Sequence, residues 1–300
     1  MRTLLKWIGL LVVVALVAGA VVFALAWRKS EDALARRFTV TDPPLTIVRD
    51  AATLERGRHL FATRGCEDCH GVGGIGHLVF DAGPVMRVVA PNITPHALGS
   101  RYDADRIAAA VRHGVRADGT GLVFMPSGDY ANLGDEDTAA LVAYVQSLPA
   151  SANDPGRLQV RPLSRVLYLF GKFPLLAAER IDHTPRARSA PAAAATAAYG
   201  AYLAQACTGC HGPDLAGQRI PGTPPDIPRA ANLTPAANGL RDWTEADFLR
   251  LMHEGRKPDG KPVDKIMPWQ SFGRMSDTEL RAVWLYLRQL PANAKKSTGE

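Results

Sequence analysis

The sequence predicts an all-α chain: two tandem domains of one fold stand behind a single N-terminal transmembrane helix. Three observations carry this. Residues 7–27 contain no charged side chain. A set of short motifs recurs about 141 residues apart. Nothing alternates convincingly at period two, so little or no sheet is expected. The 300 residues, 47% hydrophobic and 21% charged, describe an ordinary globular chain and exclude wholesale disorder and collagen-like repeats. Aromatic residues, at 7%, are thin for two cores and leave room for a non-protein group inside. The net charge is +6, yet Lys and Arg are scattered in ones and twos, so no nucleic-acid-binding stripe is present. Four cysteines are too few for a disulfide scaffold.

The first element is the run from Trp7 to Trp27, 21 residues long. That length crosses a hydrocarbon core of about 30 Å as a helix. Its terminal tryptophans suit the two membrane interfaces. Ala24-Leu25-Ala26 resembles a signal-peptide cleavage site, but the run exceeds a signal h-region and Arg28 and Lys29 follow at once, which favours an uncleaved anchor. Basic residues flank both ends, so charge alone does not orient it. Residues 1–29 are therefore read as the anchor and 30–50 as a stalk, extended at Asp42-Pro43-Pro44.

The repeat comes next. Cys66-Glu-Asp-Cys69-His70-Gly71 recurs as Cys207-Thr-Gly-Cys210-His211-Gly212, Asn92-Ile-Thr-Pro95 as Asn232-Leu-Thr-Pro235, and Met125-Pro126 as Met267-Pro268. Tyr144-x-x-x-Leu148-Pro149 returns as Tyr286-x-x-x-Leu290-Pro291, and Pro84 pairs with Pro225. All share one register within a residue, so the chain holds two copies of one domain, residues 51–150 and 196–300. Each copy reads as short helices and loops. Thr244-Glu-Ala-Asp247 and Ser276-Asp-Thr-Glu279 are capping boxes, and Gly255 is a stop. In the first copy the matching helices start at Asp103, stop at Gly114, and close at Pro149. The interdomain segment 151–195 does not repeat. Its apolar patch, residues 166–176, is too interrupted to cross a bilayer; packing against the domains is favoured over docking to a membrane or partner surface.

Two Cys separated by two residues place both thiols on one side of a single turn. They can form thioethers with the two vinyl groups of a haem, with the following His under the iron: the attachment pattern of a c-type haem. A thioredoxin-like pair would need a βαβ setting, and a zinc site would bring the pairs far closer in sequence. Two such motifs predict two covalently bound haem c groups, on Cys66 and Cys69 with His70, and on Cys207 and Cys210 with His211. Met125 lies 55 residues after His70 and Met267 lies 56 after His211, so these are the candidate second axial ligands. Met86, Met252 and Met275 lack counterparts and read as core filler. A carbonyl at Pro84 or Pro225 could accept the proximal imidazole N–H. Asn92, Asn232, Trp243 and Trp269 are candidates to meet haem propionates or the ring edge. No Ser-His-Asp set, metalloprotease motif, P-loop or dinucleotide fingerprint is present.

Both halves resemble class I c-type cytochrome domains. The Asn-Ile-Thr-Pro, Asn-Leu-Thr-Pro and Met-Pro loops resemble the cytochrome c subunits of membrane-bound alcohol, aldehyde and gluconate dehydrogenases. Those subunits carry three haem domains where this chain has two. The resemblance implies haem attachment outside the cytoplasm: a single-pass protein of the bacterial inner membrane with both domains in the periplasm. It implies an electron carrier and no catalysis, passing electrons from a dehydrogenase or other donor to an oxidase or another cytochrome, with no nucleic acid as partner. The alternative is a dihaem enzyme, peroxidase-like or thiosulfate dehydrogenase-like, against which the matched Met argues; no added domain suggests a sensing subunit.

Overall fold

The computed structural model describes residues 1–221, 223 and 227–294. Helix α1 (Arg2–Ala35) is about 50 Å long at 1.5 Å per residue. Leu4, Leu10 and Leu16 along it are exposed, and only Ala26, Ser30 and Ala33 are buried. The stalk is thus shorter than the sequence suggested: helix continues through Ala35, because 30–35 carries no breaker, and the extended backbone starts at Arg36.

The first domain contains α2 (Ala51–Thr63), α3 (Cys66–His70), strands β1 (His77–Asp81) and β2 (Met86–Ala90), α4 (Pro95–Leu98), α5 (Ala104–His113), α6 (Ser127–Tyr130) and α7 (Asp135–Ser147). The interdomain segment supplies β3 (Gln159–Val160) and α8 (Pro162–Leu169). The second domain repeats the helices as α9 (Ala197–Leu203), α10 (Thr208–His211), α11 (Glu245–Glu254), α12 (Trp269–Phe272) and α13 (Asp277–Gln289). Their ends follow the local signals. Asp50, Asp103 and Thr196 accept N-terminal amides of α2, α5 and α9. Both expected capping boxes form, and Gly114 and Gly255 close α5 and α11 in the left-handed conformation.

In each domain the first helix crosses the last at a glycine. A Cβ on Gly57 would stand 2.1 Å from the Ala140 carbonyl oxygen, and one on Gly200 would stand 1.8 Å from that of Ala282. No other residue permits that approach.

The structure is mostly helical, but a small antiparallel sheet, β1-β2-β3, adds to the first domain. The absence of period-two alternation concealed it. Met86, Val88, Val89 and Ala90 of β2 are all buried and only Arg87 is partly exposed, so the strand shows no alternation.

Two cores result. The larger runs unbroken through both domains, from Leu60, Phe61 and Val142 to Leu203, Leu280 and Trp284. The smaller gathers Ala33 of α1, Met86 and Val88 of β2, Val123, and Leu175 and Leu176 of the interdomain segment. That segment is therefore packed, and it clamps α1 to the first domain.

Candidate haem sites

Each Cys-x-x-Cys-His motif forms one helical turn ended by a glycine, Gly71 (φ 76°) or Gly212 (φ 87°). The four thiols are free and half-buried. Burial pushes the Cys66 and Cys207 thiols up to about 12, and Cys69 and Cys210 upward too. A redox-active or zinc-binding pair needs the opposite, an electropositive setting that favours thiolate. Among the described residues no three His, Cys, Asp or Glu side chains converge as a bare-metal site.

The imidazoles are held alike. His70 Nδ1 donates to the Pro91 carbonyl at 2.9 Å, and His211 Nδ1 donates to that of Ala231 at 2.8 Å. Burial lowers both pKa values, so each ring is neutral and presents an Nε2 lone pair. One nitrogen donor beside two neutral thiols on a single turn is the donor set that covalent haem requires, so the residues fit the group.

The accepting carbonyl differs from the one expected. Pro84 lies in the β1–β2 turn, and its carbonyl accepts Leu163 N–H at 3.1 Å; Pro225 lies outside the described residues. The hairpin carries residue 84 away and returns the chain to the imidazole only at Pro91. Two glycines missed in the sequence make that return possible. Gly76 (φ 74°) donates to the His70 carbonyl and Gly217 (φ 81°) to that of His211. A Cβ on Gly76 would stand 2.6 Å from the Ala90 oxygen, and one on Gly217 would stand 2.6 Å from the Ala230 oxygen. Their equal spacing in the two copies was the available signal.

Asn92 and Asn232, candidates to meet haem propionates or the ring edge, make hydrogen bonds within the protein. Asn92 Oδ1 accepts Thr94 N–H at 2.9 Å, while Nδ2 donates to the Ser151 and Asn153 carbonyls. Asn232 Oδ1 accepts Thr234 N–H at 2.9 Å, while Nδ2 donates to the Asn293 carbonyl and to Asn238 Oδ1. The Asn-x-Thr loop is thus a clasp that ties the carbonyl-bearing strand to the chain beyond each closing helix. Trp243 packs half-buried against the larger core. Trp269 lies over Gly255, where a Cβ would come within 2.4 Å of its ring.

Met125 and Met267 are half-buried and pack against the larger core. Their turns match: Pro126 has φ −80° and ψ 50°, Pro268 has φ −79° and ψ 55°. Ser127 N–H donates to the Met125 carbonyl at 2.9 Å, and Trp269 N–H to that of Met267 at 2.8 Å. Met86, Met252 and Met275 are buried filler.

The helices after these turns pack on their own domains and reach across to the other domain's motif. Helix α12 reaches the first motif: Ser271 Oγ donates to Asp68 Oδ2 at 2.6 Å, and Arg274 pairs with Glu67. Helix α6 reaches the second: the Cβ position of Gly209 lies 2.8 Å from Asp129 Oδ2. Burial pushes the Asp129 carboxyl up to about 7. The interface is braced by Arg64 on the Leu203 carbonyl (3.0 Å), Tyr202 O–H on Asp137 (2.5 Å) and His59 with Glu279 (2.9 Å), and within the first domain Tyr130 O–H holds the Arg64 carbonyl (2.6 Å).

The family model for cytochrome c matches residues 54–149 and 197–291. The fructose dehydrogenase cytochrome subunit of Gluconobacter japonicus is 28% identical over 278 residues, covering 81% of this chain and 54% of that protein. The gluconate 2-dehydrogenase cytochrome c subunit of Pantoea cypripedii is 30% identical over 277 residues, covering 82% and 62%. The cytochrome c subunit of the quinone-dependent alcohol dehydrogenase of Gluconacetobacter polyoxogenes is 28% identical over 275 residues, covering 81% and 57%. The chain spans between half and two-thirds of the length of these relatives. Two matched regions, each holding a Cys-x-x-Cys-His turn with its imidazole fixed by a loop carbonyl, make this chain a member of the cytochrome c family.

Proposed function

We propose that the chain is a membrane-anchored dihaem electron carrier, held by α1 with both domains on the periplasmic side, that takes electrons from a dehydrogenase and delivers them to a respiratory acceptor. The observation that carries this reading is the reciprocal contact of α6 and α12: each helix following a Met-Pro turn touches the other domain's Cys-x-x-Cys-His turn. That arrangement joins the two Cys-x-x-Cys-His turns to one braced interface. Cys66, Cys69, His70 and Met125 would hold one haem; Cys207, Cys210, His211 and Met267 would hold the other. Iron in a haem supplies reversible one-electron chemistry. The chain does the rest. Pro91 and Ala231 fix each imidazole tautomer. The Asn-x-Thr clasps hold those carbonyls in place, and the continuous core keeps the two sites at one separation.

Dehydrogenase partnership is supported by the names of the relatives, and the membrane position by the length and apolar character of α1. The matched Met-Pro turns favour the carrier over the dihaem enzyme, since a catalytic iron needs an open position.

The test is haem content and ligand access. Intact mass and pyridine haemochrome are expected to give two haems per chain, and the ferrous protein at neutral pH to bind carbon monoxide poorly. One haem per chain, or stoichiometric carbon monoxide binding at one iron, would overturn the reading.

A further inference from the structure

Helix α8 is amphipathic in the wrong sense for a soluble protein. Ser164 and Arg165 are its buried residues; Ser164 donates to the Arg161 carbonyl and Arg165 faces α1. Leu163, Val166, Leu167 and Phe170 fall on the opposite stripe at helical spacing. Leu163 is 40% and Phe170 60% exposed. A polar docked face and an apolar outward face call for an apolar surrounding on the outside.

The location of α8 on α1 indicates what that surrounding is. The Arg165 guanidinium stacks 3.9 Å from the centre of the Trp27 ring, donates to Ser30 Oγ at 2.6 Å and pairs with Glu31 at 2.7 Å. Lys29 Nζ donates to the Leu169 carbonyl at 3.2 Å and lies over the Tyr168 ring. Helix α8 is therefore locked beside residues 27–31, where the apolar run of α1 ends. Trp7 to Trp27 spans about 30 Å of helix, the thickness of a hydrocarbon core. Trp27 then sits at the boundary, and α8 at its height. Arg28, Lys29 and Lys172 surround this position with positive charge suited to lipid phosphates.

We propose that the outward stripe of α8, with Phe170 at its end, is a second membrane contact that seats in the interfacial layer of an anionic bilayer beside the exit of α1. This rests on the reading of α1 as a transmembrane anchor. Because α1 and α8 are both clamped to the first domain, a second contact sets the tilt of that unit against the bilayer.

The test uses full-length haem-loaded protein in vesicles of phosphatidylcholine and phosphatidylglycerol. The haem thioethers occupy the native thiols, so a nitroxide label attaches only at an introduced cysteine. Leu16→Cys reports the anchor, Phe170→Cys and Leu163→Cys report the stripe, and Lys261→Cys, on an exposed loop of the second domain, reports water. Collision with oxygen against a water-soluble nickel chelate gives depth. Labels at 163 and 170 are expected about 5–10 Å below the phosphates. If both collide with nickel as freely as the label at 261 while 16 is deep, the stripe proposal fails and the anchor stands. If 16 is also in water, the anchor reading itself fails. Protection of 163 and 170 only after a dehydrogenase partner is added would assign the stripe to that subunit and overturn the lipid contact.

Discussion

Replacing Gly217 by Ala tests how the second imidazole is oriented. The new Cβ would stand 2.6 Å from the Ala230 oxygen and 3.0 Å from the Ala231 carbon. Ordinary contact starts at 3.4 Å, so the 230–232 strand must retreat by about 0.8 Å. A retreat of that size along the bond stretches His211 Nδ1 to the Ala231 oxygen from 2.8 Å to about 3.6 Å, beyond hydrogen-bond range. A non-glycine residue at φ 81° costs about 1–2 kcal/mol. A buried imidazole N–H left without its acceptor costs about 1–3 kcal/mol. The expected loss is then about 2–5 kcal/mol in guanidinium unfolding followed by Soret absorbance. The less polarised imidazole donates less charge to iron, so the reduction potential of the second haem rises while the first is unchanged. Gly76→Ala does the converse. Gly128→Ala, where a Cβ meets nothing within 4 Å, is the neutral control. The reasoning is refuted if both substitutions cost under about 0.5 kcal/mol and leave both potentials in place.

Four further outcomes are expected. Gly57→Ala and Gly200→Ala each drive a Cβ into a facing backbone oxygen and, because the core is shared by both domains, lower the stability of the whole molecule by about 3 kcal/mol, read in calorimetry. The His59–Glu279 brace raises the His pKa and lowers the Glu pKa, so its contribution is full between about pH 4.5 and 6.5; it fades above as His59 deprotonates and below as Glu279 protonates. Glu279→Gln should flatten that window by about 1 kcal/mol, measured as unfolding free energy against pH. Asp129 has its folded pKa raised from 3.8 to about 7, so its ionisation makes the protein less stable as pH rises between those values; Asp129→Asn should match the parent at pH 4 and exceed it at pH 8 by about 2–4 kcal/mol. Removing residues 1–24 should leave the first domain's melting unchanged, whereas removal through Ala35 uncovers Met86 and Leu176 and lowers it.

Local chemistry was legible in the sequence; the paths between motifs were not. The Cys-x-x-Cys-His turns, the capping boxes at Thr244 and Ser276, and the helix-closing glycines are specified by neighbours within a few residues. The acceptor of each proximal N–H depends on where a loop of twenty residues returns. A one-dimensional spacing cannot distinguish Pro84 from Pro91, because a hairpin lies between them. Asn92 and Asn232 were recognised as a pair, but repetition marks importance without naming the partner. Their partners, Ser151 and Asn293, lie some sixty residues onward. The reach of α6 and α12 across the interface was equally hidden, because interdomain contacts leave no periodicity in either copy.

The two copies diverge where their surroundings differ. At these reciprocal contacts the register is kept but the acidic residue changes sides. Asp68 of the first motif corresponds to Gly209 of the second, and Ser271 of α12 corresponds to Asp129 of α6. One carboxylate therefore stands at each junction, contributed by the Cys-His turn in one and by the Met-Pro helix in the other. Two like carboxylates facing each other across a buried junction would repel, and two neutral residues would leave the junction uncharged. The inserted hairpin is the other divergence: β1 and β2 occur only in the first copy among the described residues, and β2 packs on Ala33 and Leu176. The first copy thus acquired the surface that α1 and α8 clamp, while the second kept only the shared core. An anchor fixed to one of two equivalent domains makes them inequivalent. The first is clamped to α1, and the second is joined to it through the shared core. Swapping the Asp68 and Gly209 identities, with Ser271 and Asp129 exchanged to match, should preserve folding and both haems; exchanging only one pair places two carboxylates at one junction and should raise the unfolded fraction with pH.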